Sequence, residues 1–251
     1  MSKFRELVES VIIEQNLDEG WGKTLGTLAA LGTIGLGSYN ASINNSNPVI
    51  NTSNQHTLAH FEHGGKGHHA IVKDNYGGYS YGYYQLSTKR NGSGSPFDKF
   101  LKYLEQHEPK QAEVLKKFGG WKAAYDGTEA FKSIWHKLAD DSRFQQAYFD
   151  FIENEYDKPL YNQMNKTTQV PLNYIVDWAN NDDSVKNVLR SCAIQHGVNG
   201  AFKLIYNTVK YTHPKTEIDF INNLYNRRIK QYPSYRNRYQ QEKRLVLSKL
   251  S

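Results

Sequence analysis

The stretch HTLAHFEHGGKGHH, residues 56–69, carries five histidines and one glutamate. Two chemistries suit these residue types, because histidines bind transition metals and a glutamate can donate a proton as a general acid. If the residues before the glycine pair form a helix, His56, His60 and His63 share one face, and Glu62 lies off that face. The zinc-protease spacing, with a glutamate directly after the first of two histidines one turn apart, is absent. We therefore expect no metal or other cofactor and keep a histidine-bound metal, in an amidase or peptidase, as the alternative.

Glu62 is the better candidate for chemistry. It falls in the last turn of the predicted helix, where unpaired backbone carbonyls oppose ionisation of a carboxyl group. Phe61 and the tyrosines that follow in the sequence would exclude water from it. Both effects raise the pKa of a carboxyl group, as a general acid working near neutral pH requires.

The combination EHGGKG…DNYGGYSYGYYQLSTKR resembles the catalytic region of goose-type lysozymes and lytic transglycosylases. That family carries Glu-Ser-x-x-Gly, followed by a glycine-rich turn that ends in Gly-Leu-Met-Gln. Glu62 matches the family's catalytic glutamate, and Asp74 aligns approximately with an aspartate that helps to place water. The resemblance implies a strand that contacts the glycan through Ser80, Tyr81, Gly82, Tyr83, Tyr84 and Gln85.

A second segment, SCAIQHGVNGA, is similar to the Ala-Tyr-Asn-Ala-Gly helix of the same family. It makes Gln195 and His196 candidates for substrate contact, although they replace the usual residues. The resemblance spans roughly residues 50–245. It implies cleavage of the β-1,4 bond between N-acetylmuramic acid and N-acetylglucosamine, by hydrolysis or by formation of a 1,6-anhydro product.

Helical elements must position these residues. Apolar stripes near the 3.6-residue period recur from about residue 97 to residue 231, and Thr128 and Asp182 or Asp183 are predicted to begin helices. The segment AIVKDNYGGYSYGYYQL, residues 70–86, is instead rich in β-forming residues and turn signals, which predicts a hairpin or three-stranded tongue. The predicted class is α+β and predominantly α-helical. The resemblance implies that this is a lysozyme-like domain with the tongue beside the active-site cleft.

Residues 1–48 differ in sequence pattern from the catalytic domain that is predicted over residues 49–251. An amphipathic helix is predicted near the start, followed by an apolar run, residues 24–39, that is too short to span a bilayer but could touch one transiently. Ile12-Ile13-Glu14 and Leu17-Asp18-Glu19 look like cleavage signals of head-maturation proteases in tailed phages. Cleavage after residue 14 or 19 would make the chain a virion protein, and an endolysin is the alternative.

The composition excludes a membrane-spanning or disordered chain and favours a polyanionic partner, since the net charge is +6. Peptidoglycan strands are the expected partner, with packaged DNA or the phage capsid as further candidates, and the chain is expected to be a monomer. The expected location is the virion, or the host cytoplasm during production, with action on the cell wall. A third hypothesis is a non-catalytic protein that binds DNA or the cell wall through the basic stretch YNRRIKQYPSYRNRYQQEKR.

Cys192 is the only cysteine of the sequence and is predicted to be a buried structural thiol.

Overall fold

The computed structural model describes residues 66–74, 78–89 and 94–250. The chain divides between Ile50 and Asn51 into two units, and every described residue belongs to the second. The predicted domain boundary at residues 48 and 49 stays a prediction. The N-terminal helix, the run at residues 24–39 and the two cleavage signals all lie outside the described residues.

A short 3₁₀ turn and a small sheet precede the helices. The turn spans Gly67–His69, and three antiparallel strands follow in the order β1-β2-β3. The strands are β1 Ile71–Lys73, β2 Tyr79–Tyr81 and β3 Leu86–Ser87. The predicted three-stranded tongue is therefore confirmed.

Helices make up most of the remaining described chain, so the predicted class, predominantly α-helical with a small β element, is confirmed. The helices are α1 Pro96–His107, α2 Pro109–Lys117, α3 Gly120–Asp126, α4 Glu129–Ala139, α5 Ser142–Ile152, α6 Lys158–Lys166, α7 Asn173–Asn181, α8 Asp183–Thr212, α9 Glu217–Gln231 and α10 Arg236–Leu250. A π-helical turn, Glu153–Asp157, joins α5 to α6, and a 3₁₀ turn, Pro233–Tyr235, precedes α10.

Side-chain caps fix where several helices begin. Thr128 accepts a hydrogen bond from the Phe131 amide, and Asp182 accepts from the first turn of α8, so both predicted caps are confirmed. α8 is interrupted at Gly197, whose φ of 69° and ψ of 162° are not helical. This break divides α8 into two helical segments.

The core beneath the tongue is aromatic. Trp135 is fully buried and its ring contacts those of Tyr81, Phe97 and Phe144. Edge-on contacts of this kind add to the free energy of burial by about 0.5–1.5 kcal/mol per pair. The tongue is thus fixed to the helices through its own aromatic side chains.

Cys192 is buried and free, as predicted. Burial raises the pKa of its thiol. Within the described chain, no helix combines the length and apolar character needed to cross a membrane.

Candidate active site

The described region begins at Lys66, four residues after Glu62. The turn that follows, Gly67–His69, packs against the tongue and two helices. The His68 ring packs against the rings of Tyr83, Tyr148 and Phe149, with centroid separations of 5.3, 5.2 and 4.8 Å. Its backbone carbonyl accepts a hydrogen bond of 2.9 Å from Trp135 Nε1. The turn Gly67–His69 is therefore joined to the tongue, to α4 and to α5. Glu62 itself lies outside the described residues, as do His56, His60 and His63.

The turn between β2 and β3 carries four of the predicted substrate residues, Gly82, Tyr83, Tyr84 and Gln85, and two of them have positive φ angles. Gly82 has a φ of 77°, and a Cβ atom there would lie 2.6 Å from Tyr148 Cε2, so only glycine fits. Gln85 has a φ of 53°, and its side-chain amide donates to the Gly82 carbonyl at 2.8 Å. The Gly82–Gln85 turn is consequently closed by its own side chain.

Tyr148 of α5 is hydrogen-bonded to the backbone at both sides of this turn. Its hydroxyl accepts a 2.9 Å hydrogen bond from the Tyr84 amide and donates one of 3.2 Å to the Tyr81 carbonyl. One buried hydroxyl therefore bonds to a backbone donor and to a backbone acceptor at the two sides of the turn.

Tyr84 is also tied to a buried ion pair that the sequence analysis did not find. Arg190 of α8 donates through Nη1 to the Tyr84 hydroxyl at 3.0 Å. Its Nε donates to both carboxylate oxygens of Asp157 at 2.9 and 3.2 Å, and Nη2 adds a third hydrogen bond. Arg190 and Asp157 are only 6% and 2% exposed, and burial raises the pKa of Tyr84 to about 12. This cluster anchors the tongue to α8 and to the π-helical turn.

Two of the predicted substrate tyrosines are core residues. Tyr81 has no exposed surface, and its hydroxyl donates to the Ala124 carbonyl at 2.8 Å. Tyr84 is buried on Arg190. Neither ring offers a surface to a glycan in this arrangement, so their contribution to the site is to position the tongue.

Asp74 and Ser80 come together on the opposite side of the sheet. Ser80 pairs with Val72 of β1 and Ser87 of β3, so the alternation along each strand places these three side chains on one face. The Asp74 amide donates to the Gly78 carbonyl at 3.1 Å, which continues the register and puts Asp74 on the face of Val72. Val72 is 47% exposed and the other three residues are partly exposed, so this face is open. Tyr83 and Gln85 are also partly exposed, in the adjoining turn.

Gln195 and His196 contact the C-terminal helices. Gln195 Oε1 accepts a 2.6 Å hydrogen bond from Arg228 of α9, and the His196 ring stacks on Tyr232 with a centroid separation of 4.5 Å. Burial, together with the nearby Arg228 charge, lowers the pKa of His196 to about 4. His196 is therefore neutral near pH 7, and both residues belong to the packing of α8 on α9 and α10.

The residues missed by sequence reasoning are Tyr148, Asp157 and Arg190. Asp157 and Arg190 are 33 positions apart, and no local pattern joins them. Arg190 is a charged residue inside the apolar stripe of a helix, and this is the one feature of the sequence that could have indicated a buried ion pair. Within residues 66–74, 78–89 and 94–250, no group of three histidine, cysteine, aspartate or glutamate side chains is arranged to hold a metal.

The described residues thus define a helical domain that holds a three-stranded tongue with one open, partly polar face. A family model described as "Type VI secretion system spike protein VgrG3-like, C-terminal" matches residues 55–249. The chain belongs to this family of VgrG3-like C-terminal regions. No curated protein matches the chain.

Solved chitosanases are similar to the chain over most of its length. A native chitosanase from Bacillus subtilis MY002 has 19% identity and a TM-score of 0.49, covering 77% of this chain and 84% of that one. A chitosanase complex has 14% identity and a TM-score of 0.49, covering 76% and 83%. A mutant chitosanase from the same Bacillus strain, complexed with 6 GlcN, has 17% identity and a TM-score of 0.46, covering 77% and 84%.

Proposed function

We propose that this chain is a glycoside hydrolase with a lysozyme-like fold that cleaves the β-1,4 bond between N-acetylmuramic acid and N-acetylglucosamine in peptidoglycan. The observation that carries the proposal is the Glu62 motif followed by the glycine- and tyrosine-rich tongue. In the turn of the tongue between β2 and β3, Gly82 and Gln85 both have left-handed backbone conformations. Glu62 precedes Lys66 by four residues, a chain length of at most about 14 Å. The turn that follows Lys66 packs directly on Tyr83.

Glu62 is the proposed general acid. Cleavage of a glycosidic bond needs a proton on the leaving oxygen and support for a carbon with oxocarbenium character. Asp74, on the open face of the tongue with Ser80, is the proposed group that holds water for hydrolysis. If Asp74 does not hold water, the 6-hydroxyl of the muramoyl unit attacks instead, and the product carries a 1,6-anhydro end.

The proposed place of action is the bacterial cell wall, and the proposed carrier is a phage virion. The family description names a spike protein of a secretion system, and a wall-cleaving domain suits any particle that crosses an envelope. The two cleavage signals near the N-terminus are the sequence features that favour packaging into a phage head.

The test is mass spectrometry of the soluble products formed from purified peptidoglycan. We expect glycan fragments from the wild-type protein and none from Glu62→Gln, which keeps the shape of the side chain but removes the acid. Asp74→Asn distinguishes the two chemistries, because it should reduce reducing-end products and leave anhydro products unchanged. Freed stem peptides, or equal fragments from wild type and Glu62→Gln, would refute the proposal. Inhibition by a chelator would instead support the histidine-metal alternative.

A further inference from the structure

A cleft of about 570 Å³ lies on a part of the fold that the candidate active site does not use. It is lined by α7, by the C-terminal half of α8 and by the two loops that flank them, and no described residue of the tongue is among the lining residues. Its volume lies within the range of about 300–1,000 Å³ that is usual for small-ligand sites.

Aromatic rings form one part of the lining. Tyr174 and Trp178 meet edge to face, with centroids 4.9 Å apart, and both rings are partly exposed. Tyr206 enters from α8, and its hydroxyl donates a 3.0 Å hydrogen bond to Gln169 Oε1. This bond leaves the side-chain NH₂ group of Gln169, at the edge of the cleft, as a donor for a ligand. Rings beside a polar amide suit a ligand with apolar ring faces and hydroxyl or carbonyl groups at its edge.

Basic residues form another part of the lining. Lys210, His213 and Lys215 line the cleft and are exposed, and none of the described residues that line it is an aspartate or glutamate. Lys210 Nζ lies 5.8 Å from the centroid of the Tyr206 ring, so one ammonium group stands beside an aromatic wall. An occupant of this cleft is therefore expected to carry negative charge as well as ring faces.

We propose that this cleft is an accessory binding site for the glycan strand of peptidoglycan together with its anionic stem peptides, a second point at which the protein holds the polymer. The proposal rests on the proposed function for the identity of the polymer. The aromatic rings contact the sugar faces, and the lysines bind the free carboxylates of a stem peptide, because the lactyl carboxyl of a muramoyl unit that carries a peptide is an uncharged amide. A second point of attachment raises the local concentration of the strand at the tongue. A nucleic acid is the less favoured occupant, because the charge is confined to one small cleft and does not form a stripe along a backbone.

The experiment is co-sedimentation of the full chain with purified, insoluble peptidoglycan, in the Glu62→Gln background so that the polymer stays intact. The double variant Lys210→Gln/Lys215→Gln removes both lysine charges from the cleft. Both side chains are exposed, so the substitutions should leave the fold intact. We expect the dissociation constant of this variant to rise at least about fivefold, and Trp178→Ala, checked for folding by circular dichroism, to lose affinity too. The matched control is Lys102→Gln/Lys230→Gln, which removes the same charge from exposed positions outside the cleft and should bind as before.

The outcomes separate this inference from the proposed function. Equal sedimentation of the cleft variant and its control would overturn the accessory site, even if Glu62 is the catalytic acid. Selective loss in the cleft variant would support it, even if the wild-type protein releases no glycan product. If the cleft variant loses affinity for a labelled single-stranded oligonucleotide but keeps its affinity for peptidoglycan, the cleft is a nucleic-acid site and the inference is wrong.

Discussion

The buried pair Arg190–Asp157 gives the sharpest prediction about the tongue. Replacing Arg190 by methionine keeps the volume of the side chain but removes every hydrogen bond that its guanidinium donates. Those bonds reach both oxygens of Asp157 and the hydroxyl of Tyr84. Asp157 is 2% exposed, so water cannot take the place of the lost partner.

The magnitude follows from the charge left behind. Breaking a buried ion pair by removing one partner costs about 3–5 kcal/mol in the free energy of unfolding. Replacing both partners by apolar residues of similar size is often close to neutral. We therefore expect Arg190→Met to lose about 3–5 kcal/mol and Arg190→Met/Asp157→Leu to lose at least about 2 kcal/mol less. Tyr84→Phe, which removes one hydrogen bond from a charged donor, should cost about 1.5–3 kcal/mol.

The loss should also depend on pH. Burial raises the pKa of Asp157, and the Arg190 charge opposes that rise, so Arg190→Met should raise the pKa further. A carboxyl group whose pKa is higher in the folded state than in the unfolded state destabilises the fold as pH rises through that pKa. The penalty of Arg190→Met should therefore be largest at neutral pH and shrink as pH falls and Asp157 takes up a proton.

Urea denaturation of the wild-type protein and the three variants at pH 7 and pH 5 measures these differences as shifts in the midpoint. A loss below about 1 kcal/mol for Arg190→Met would refute the reasoning, since it would mean that water or another group solvates Asp157. A double variant as unstable as Arg190→Met would refute it as well, because the penalty would then not come from the unpaired carboxylate.

Two further predictions concern the turn of the tongue and the end of the first half of α8. Gly82→Ala should cost about 2–5 kcal/mol in urea denaturation, the sum of left-handed backbone strain and the clash with Tyr148. Gly120→Ala is the control, because Gly120 has a φ of 54° with nothing within 4 Å of an added Cβ, and it should cost only about 1–2 kcal/mol. The pKa of His196 is lowered to about 4, so the fold favours its neutral form, and the stability this contributes is lost as pH falls from 6.5 towards 4. The stability gap between wild type and His196→Gln should narrow over that window, and a constant gap in urea midpoints would contradict the assignment.

Local signals explain what the sequence could predict. Thr128 and Asp182 cap helices because a side-chain oxygen before an apolar stripe pairs with free amides of the first turn. The tongue is also predictable from the sequence, because the turn residues between the short β-rich runs determine the backbone conformation of only a few neighbouring residues. The link from Arg190 to Asp157 spans 33 residues and depends wholly on the tertiary fold.

The tyrosines of the tongue show why composition alone misleads about a binding surface. Alternation along a strand predicts that Tyr79, Tyr81 and Tyr83 share one side. In the structure β2 ends at Tyr81 and Tyr83 lies in the turn, so only Tyr79 and Tyr81 share a side of the strand, and that side faces the helices. Tyr81 bonds to α3, and Lys132 Nζ of α4 lies 4.8 Å from the centroid of the Tyr79 ring. A strand that turns its large rings inwards must present its small residues outwards, so the open face carries Ser80 and the adjoining Asp74. The buried rings of Tyr81 and Tyr84 therefore hold the tongue in place, and the proposal leaves the polar residues between the rings, together with the partly exposed Tyr83, to contact a glycan.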